Sequence, residues 1–162
     1  MMKKLARIVE EGSLDELEQA LAGREASFGE LCEALHQAAR LGRVAFVRAL
    51  IAGGASVEAP APPASWRPVH TAVEHGQIEA IRVLVASGAD VNARAEEGMT
   101  PLHLAIDAAT DSIEQVGSTD GLAVIRCLLE LGADPRVQDD TGRTPRDWAL
   151  EAGSDIVSEI LA

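Results

Sequence analysis

Three histidines recur at nearly regular spacing, and histidine is a side chain that can bind metal ions or transfer protons. His36, His70 and His103 are separated by 34 and 33 residues, in the contexts EALH, RPVH and TPLH. Ligands of one metal ion must lie about 2 Å from it. Equivalent side chains on stacked helices lie about 8–10 Å apart instead. The spacing therefore favours a structural role for the histidines over a metal site.

Other residues that could support catalysis lack the spacing that catalysis requires. The chain has no G-x-S-x-G, G-x-x-x-x-G-K-[ST], H-E-x-x-H or C-x-x-C motif. The acidic pairs Glu96–Glu97 and Asp139–Asp140 fall in expected turns, where we interpret them as solvated surface charge. The sequence predicts a protein that is not an enzyme and needs neither cofactor nor metal.

Composition and charge favour a helical protein with a protein partner. The 162 residues carry a formal charge of −12, which disfavours binding to nucleic-acid phosphates and favours a basic protein partner. Only 2% of the residues are aromatic, so the core must be built from aliphatic side chains. Small aliphatic residues at close spacing indicate helix packed against helix.

Cysteine usage and hydropathy predict a cytoplasmic protein without membrane contact, and we expect it to be a monomer. Cys32 and Cys127 are distant in sequence and are expected to be buried thiols in a reducing compartment. The basic start resembles a signal peptide, but Arg7, Glu10 and Glu11 interrupt any apolar run. No stretch approaches the roughly 18 apolar residues of a membrane span.

The histidine motif is one part of an internal repeat. Four segments align: EALHQAARLG (33–42), RPVHTAVEHG (67–76), TPLHLAIDAA (100–109) and TPRDWALEAG (144–153). A second motif recurs in step as GGAS (53–56), SGADVN (87–92) and LGADPR (131–136). Apolar residues at i, i+3 and i+4 separate the two motifs. Each unit is therefore predicted to be helix, turn, helix and Gly-terminated loop.

With MTPLHLA and LLELGADP recurring near a 33-residue period, the sequence resembles the ankyrin repeat family. The resemblance covers roughly residues 28–162, and more loosely the first 25. It implies an all-α, helix-turn-helix solenoid with short β-turn fingers, used to bind other proteins. In this family the histidine bonds the turn near the threonine, and Asp147 replaces it in the last unit.

The residues themselves have physical reasons to form such units. Thr100 before Pro101 predicts a helix start, because proline suits the first helical turn. Gly88 and Gly132 are expected to end the second helices in left-handed caps. The second helices are predicted to begin near Ser13, Arg43, Gln77, Gly121 and Ser154.

We divide one repeat domain, 1–162, into five units. They are an N-terminal cap (1–26), two repeats (27–60 and 61–93), a repeat with an insertion (94–138) and a C-terminal cap (139–162). Ser13 with Glu16, and Ser27 with Glu30, are expected to form capping boxes, the second starting its helix early. Residues predicted on one buried face of that helix are Phe28, Leu31, Cys32, Leu35 and Ala39.

Two segments depart from the repeat. The prolines at 60–63 predict a stiff finger between the second and third units. Gly88 and Gly132 are 44 residues apart, which places an insertion near 109–120, between paired helices. We interpret it as a surface insertion, which could present Asp111, Glu114 and Asp120 to a basic partner.

The resemblance also indicates where a partner would bind. It places Trp66, Met99 and Arg143 on successive fingertips. The adjoining inner-helix face is expected to carry Glu74, His75, Asp107 and Glu151, with Glu96 and Glu97 in a finger. Trp66 is the main candidate for an anchor, and the alternative is that it packs on the prolines at 60–63.

The function predicted from these features is non-catalytic protein binding, as an adaptor or regulator that uses a concave face and fingertips. One alternative is an acidic immunity-type inhibitor that neutralises a basic toxin or enzyme. An alternative of another class is a small enzyme or small-molecule binder, which would need a deep polar pocket.

Deleting residues 110–119 tests the interpretation of the insertion. We expect little loss of thermal stability, because a surface insertion completes no core. If a partner uses this edge, binding should weaken and lose part of its salt dependence. Collapse of the fold would show that the segment is structural, and unchanged binding would show a neutral insertion.

Overall fold

The computed structural model describes residues 3–23, 26–61, 65–116 and 120–161, and these residues are helical apart from turns and one β-bridge between Ala61 and Trp66. The helices are α1 (Lys3–Glu11), α2 (Leu14–Ala22), α3 (Phe28–Arg40), α4 (Val44–Ala52), α5 (Pro68–Glu74), α6 (Ile78–Ala86), α7 (Pro101–Val116), α8 (Asp120–Glu130), α9 (Pro145–Glu151) and α10 (Asp155–Ile160). Glu96–Gly98 forms a 3₁₀ turn. The predicted all-α, helix-turn-helix architecture is confirmed.

The helix boundaries match the repeat pattern. The second helix of every pair, α2, α4, α6, α8 and α10, begins within one residue of its predicted start. Proline is the first residue of α5, α7 and α9, as the Thr-Pro and Arg-Pro steps predict. Gly88 and Gly132 have φ angles of 98° and 96°, so both adopt the left-handed conformation expected after a helix end.

The chain forms two compact units, Met1–Ala89 and Asp90–Ala162. In the first unit α3 contacts α1, α4 and α5, and α4 contacts α2 and α6. In the second unit α7 contacts α8 and α9, and α9 contacts α10. Each unit therefore stacks consecutive helix pairs side by side. The finer division of the sequence into five repeats stays a prediction.

Aliphatic side chains fill the core of both units. The largest fully buried apolar residues include Leu17, Leu35, Leu50, Ile81 and Leu84 in the first unit, and Leu102, Ile106, Ile125 and Leu128 in the second. Cys32 and Cys127 are buried as predicted. Phe28 was predicted to be buried, but it is 63% exposed. It is the first residue of α3, one turn before Leu31, so it stands at the helix end rather than over the core.

Both predicted capping boxes are present in the first unit. The Ser13 hydroxyl accepts from the N–H of Glu16 at 3.2 Å, and the Glu16 carboxylate accepts from the N–H of Ser13 at 2.9 Å. Ser27 and Glu30 make the same reciprocal pair at 3.3 and 2.8 Å. Because Ser27 starts α3 early, that helix has 13 residues whereas α5 has 7.

Arg43 joins the first two helix pairs through contacts that the sequence pattern did not indicate. Its guanidinium donates to the carbonyls of Val9 at 2.7 Å and Gly12 at 2.8 Å, at the end of α1. The same group lies 3.7 Å from the centre of the Phe46 ring. Arg43 therefore satisfies carbonyls that the last turn of α1 leaves without helical partners.

The insertion lengthens α7. This helix has 16 residues, whereas the equivalent helices α5 and α9 each have 7. Ala109 and Thr110 are buried, and the Thr110 hydroxyl donates to the carbonyl of Ile106 at 3.0 Å. The expectation that the insertion completes no core is therefore wrong at its first two residues, because the helix continues through them. Its role in binding stays a prediction.

None of the helices in the described ranges combines the length and the apolar character that crossing a lipid bilayer would require.

Replacing Gly121 by alanine tests the packing of the lengthened helix. A Cβ at Gly121 would lie 2.7 Å from both Cα and Cβ of Ala109, so α7 and α8 would have to separate. We expect Gly121→Ala to lower the free energy of unfolding by about 1–2 kcal/mol through overpacking. Urea denaturation measures this change.

Gly29 provides the matched control, because it also lies in a first helical turn and a Cβ there would meet nothing within 4 Å. Gly29→Ala should leave stability unchanged or slightly raised. Equal effects of the two substitutions would contradict the close packing of α8 on α7.

Candidate functional site

His103 links the start of α7 to the following finger. Its Nδ1 accepts the backbone N–H of Thr100 at 3.2 Å and lies 2.9 Å from the Thr100 hydroxyl. Its Nε2 donates to the carbonyl of Arg143 at 3.3 Å. Burial lowers the pKa of His103 below its usual value, which favours the neutral ring. The predicted structural role of this histidine is confirmed.

The other two repeat histidines are also held in hydrogen bonds. His70 accepts the N–H of Arg67 at 3.2 Å, as His103 does with Thr100. His36 differs, because α3 starts earlier and places it within the helix. Its Nδ1 lies 3.0 Å from the Thr71 hydroxyl, and its Nε2 donates to the carbonyl of Ala59 at 2.9 Å. Among the described residues, no group of three or more His, Cys, Asp and Glu side chains could hold a metal ion.

Asp147 replaces the histidine in the last unit and makes the same bond to the backbone N–H before the proline. Its carboxylate accepts from the N–H of Thr144 at 2.8 Å and from the hydroxyl of Thr144 at 2.7 Å. The Thr144 hydroxyl in turn accepts the N–H of Asp147 at 3.2 Å. The helix start is therefore capped without an imidazole.

Each of three fingers closes through one backbone hydrogen bond. The N–H of Ala61 donates to the carbonyl of Trp66 at 2.7 Å. The equivalent bonds run from Ala95 to Met99 and from Asp139 to Arg143, both at 2.9 Å. The residues predicted at the fingertips, Trp66, Met99 and Arg143, thus occupy equivalent positions at the finger bases. All three are partly buried.

Trp66 has a buried indole N–H for which the described residues provide no hydrogen-bond acceptor. Ser65 before it has a φ of 54°, which is unusual for a residue with a side chain. Pro62 and Pro63, on which Trp66 was alternatively expected to pack, lie outside the described residues.

Asp139 was interpreted as solvated surface charge, and this is wrong. It is 5% exposed. One carboxylate oxygen accepts from the N–H and hydroxyl of Thr141 at 2.8 and 2.7 Å and from the N–H of Arg143 at 2.9 Å. The other accepts from the indole of Trp148 at 2.9 Å. The turn folds around the carboxylate because a buried charge needs donors in place of water.

Burial alone would raise the pKa of Asp139. The hydrogen bonds from Thr141, Arg143 and Trp148 outweigh burial, so the pKa lies well below the ordinary aspartate value. Asp139 is therefore a fixed negative charge at the base of the last finger.

The second unit joins its two fingers by side-chain and backbone hydrogen bonds. We call residues 92–99 and 134–143 the two-finger platform. Asn92 bonds the N–H of Asp134 at 2.8 Å, and Arg94 donates to the carbonyl of Gln138 at 2.8 Å. Arg94 also pairs with the carboxylate of Asp140 at 2.7 Å. The platform is therefore one hydrogen-bonded structure.

Close approach between the two fingers requires glycine at position 98. The N–H of Asp140 donates to the carbonyl of Glu97 at 2.9 Å. Gly98 has a φ of 72°, and a Cβ there would lie 2.8 Å from the backbone nitrogen of Asp140. Any larger residue would clash with the next finger, besides adopting an unfavourable backbone conformation.

Arg143 and Glu151, both predicted to bind a partner, are brought together. The guanidinium of Arg143 lies 3.0 Å from Glu151 and 3.3 Å from Asp139, and 5.0 Å from the Trp148 ring centre. Its positive charge is thus already compensated within the chain.

The remaining predicted site residues are on exposed positions. Glu96 and Glu97 lie in the first finger of the platform, and Asp107 lies on α7. Glu74 and His75 are exposed at the end of α5 in the first unit, where His75 bonds the carbonyl of Thr71 at 3.0 Å. Sequence reasoning missed Asn92, Arg94 and Asp139, although the recurring GAD motif marked the fingers in which they lie.

Stacked helix pairs, capped at Thr-Pro steps and joined by hydrogen-bonded fingers, define a helical repeat protein. A family model described as "Ankyrin repeats (3 copies)" matches residues 5–95 and 35–116, and one described as "Ankyrin repeat" matches residues 97–140. The chain belongs to the ankyrin repeat family. No curated protein matches it. Ankyrin repeats are generally protein–protein interaction modules, and proteins built from them are typically non-catalytic binding scaffolds.

Replacing Asp139 by asparagine tests its structural role. The change removes the charge and replaces one acceptor oxygen by an NH₂ group, which cannot accept from the donors around it. We expect a loss of about 1–3 kcal/mol in the free energy of unfolding near neutral pH, measured by urea denaturation. Asp140→Asn is the control, because its exposed pair with Arg94 should contribute about 1 kcal/mol or less.

The pH dependence of the free energy of unfolding tests the role of Asp139 independently. Because the folded pKa of Asp139 is lowered, its contribution is present above the unfolded value of about 3.9 and is lost as pH falls further. Asp139→Asn should therefore have a flatter loss of stability below about pH 4 than the unmodified chain. Identical acid profiles would contradict this account.

Proposed function

We propose that the chain is a non-catalytic adaptor or regulator that binds a protein partner through the two-finger platform and the adjoining faces of α7 and α9. The observation that carries this proposal is the hydrogen-bonded ladder between the fingers. A surface that is already ordered loses little conformational entropy when a partner binds. The platform is thus suited to recognition rather than to catalysis.

The distribution of charge indicates a basic partner. Residues 90–162 contain 15 acidic and 5 basic side chains, whereas residues 1–89 contain 11 acidic and 9 basic side chains. The negative charge of the chain is therefore concentrated in the unit that carries the platform. Such a field accelerates encounter with a cationic surface and disfavours anionic ones.

The exposed chemistry of the platform is also acidic. Glu96 and Glu97 are exposed, as is Asp107 on the adjoining α7. The platform cations Arg94, Arg136 and Arg143 are held in ion pairs with carboxylates, those of Asp140, Asp134, Asp139 and Glu151. The partner would therefore meet carboxylates together with the partly buried side chain of Met99. A basic protein surface with an apolar centre matches this chemistry.

We further propose a secondary contact in the first unit. Glu74 and His75 are exposed at the end of α5, and Trp66 closes the preceding finger. Tryptophan is enriched among residues whose truncation weakens interfaces most. Trp66 is half-buried, so only the exposed part of its ring would contact the partner.

A reducing compartment suits this chain, because Cys32 and Cys127 are both buried and are not joined in a disulfide. We therefore propose that binding takes place in the cytoplasm, with the chain acting as a monomer.

The charge asymmetry also favours a second candidate function, in which the chain neutralises a basic toxin or enzyme by covering its cationic surface. The two functions predict different results with a captured partner. A neutralising chain abolishes the partner's activity at equimolar concentration, whereas an adaptor leaves it active while bound.

Removing two platform charges tests the proposal. Partners are captured from the native cell on the unmodified chain, and the affinity of each purified partner is then measured by calorimetry. Glu96→Gln with Glu97→Gln should weaken binding by about threefold to tenfold and reduce its salt dependence. Glu18→Gln with Glu79→Gln removes the same charge from exposed helix positions and should have little effect.

Met99→Ala and Trp66→Ala extend the test to the apolar contacts. Truncation of a central anchor is expected to cost about tenfold or more in affinity. If neither truncation nor the paired glutamate change weakens binding, the proposed surface is wrong.

A further inference from the structure

Both ring nitrogens of His103 are committed to backbone groups of different elements. Nδ1 accepts the N–H of Thr100, where α7 starts, and Nε2 donates to the carbonyl of Arg143, in the next finger. Only the neutral ring with its proton on Nε2 can make both bonds. His103 is fully buried, so water cannot replace either partner without a change in structure.

We propose that His103 is a proton switch, whose protonation opens the cap of α7. A proton on Nδ1 converts the acceptor of the Thr100 N–H into a second donor. The Thr100 hydroxyl, 2.9 Å away, can still accept from the ring, but the backbone N–H is left buried without an acceptor.

The groups around the imidazole determine when the switch operates. Burial is the largest influence and lowers the pKa of His103. The hydrogen bond to the backbone carbonyl of Arg143 and the carboxylate of Asp139 favour the charged ring, whereas the guanidinium groups of Arg94 and Arg143 disfavour it. The Trp148 ring packs edge-on at a centroid distance of 5.5 Å and excludes water. The neutral, closed state therefore predominates near neutral pH, and opening occurs below the ordinary histidine pKa of about 6.5.

His36 shows that the switch requires a histidine whose Nδ1 accepts a backbone N–H. Its pKa is also lowered by burial, and its Nε2 also donates to a finger carbonyl, that of Ala59. Its Nδ1, however, meets the hydroxyl of Thr71, which can accept a hydrogen bond as well as donate one. Protonation of His36 therefore breaks no hydrogen bond.

Opening of the cap leaves the base of the last finger in place, because the Nε2–H that donates to the Arg143 carbonyl is present in both states of the ring. The carbonyl of Arg143 that accepts from His103 also accepts the N–H of Asp139, at 2.9 Å. The Thr100 amide therefore reports the state of the switch, and the Asp139 amide serves as a neighbouring control. The switch is a property of the chain itself and does not depend on the proposed partner.

Hydrogen exchange of these amides tests the switch in the full chain without a partner. After correction for the intrinsic exchange rate, protection of the Thr100 amide should fall between about pH 6.5 and about pH 5, by up to about tenfold per pH unit, whereas protection of the Asp139 amide should not. Core amides of α8, such as that of Ile125, should not share this dependence.

Two variants separate the switch from general acid sensitivity. His103→Asn supplies a neutral acceptor at the position where Asp147 caps α9, so protection of Thr100 should become independent of pH. His36→Asn should leave the pH dependence in place. Persistence of the dependence in His103→Asn, or its absence from the unmodified chain, would overturn the proposal.

A measurement on the unmodified chain covers the case in which His103→Asn fails to fold. The ¹⁵N shifts of the His103 ring should show an unprotonated Nδ1 near neutral pH. Its titration should coincide with the loss of Thr100 protection. Loss of protection at a pH where the ring remains neutral would also overturn the proposal.

Discussion

The structure depends on one interaction at the start of its first helices, in which a side chain three residues into the helix accepts the backbone N–H before the proline. His70, His103 and Asp147 each make this bond, to Arg67, Thr100 and Thr144. The bond matters because a helix leaves its first N–H groups without internal partners. It sets where α5, α7 and α9 begin, and the stacking of their aliphatic faces and the position of the preceding fingers follow from that start.

The fingers also contain backbone groups that need hydrogen-bond partners, and these groups are paired without a β-sheet. Their backbone donors and acceptors come from buried or paired side chains and from neighbouring fingers, as Asp139, Asn92 and Arg94 show in the second unit. Each bond contributes only about 1 kcal/mol, but leaving a buried group unpaired costs more. A finger is consequently held in one conformation by its hydrogen bonds. Because the platform is already ordered, its acidic side chains can bind a partner with little loss of conformational entropy.

The repeat pattern was sufficient to predict the helices, their capping residues and the buried cysteines, because these depend on local periodicity and turn chemistry. It did not predict the burial of Asp139, since an acidic pair in a turn has the same sequence whether it faces water or a ring of donors. Nor did it predict the contacts of Arg94, whose partners lie more than 40 residues away, beyond an insertion. Phe28 was misplaced because helical periodicity does not show where the core ends.

The central claim is that the two fingers of the second unit form one hydrogen-bonded platform. The amide of Asp140 tests it most directly, because this residue is exposed yet its N–H donates to the carbonyl of Glu97 at 2.9 Å. Native-state hydrogen exchange should show the Asp140 amide exchanging much more slowly than the same amide in an unstructured peptide. Exchange of Asp140 at the rate of an unstructured peptide would contradict a joined platform, and with it the surface on which partner binding is proposed.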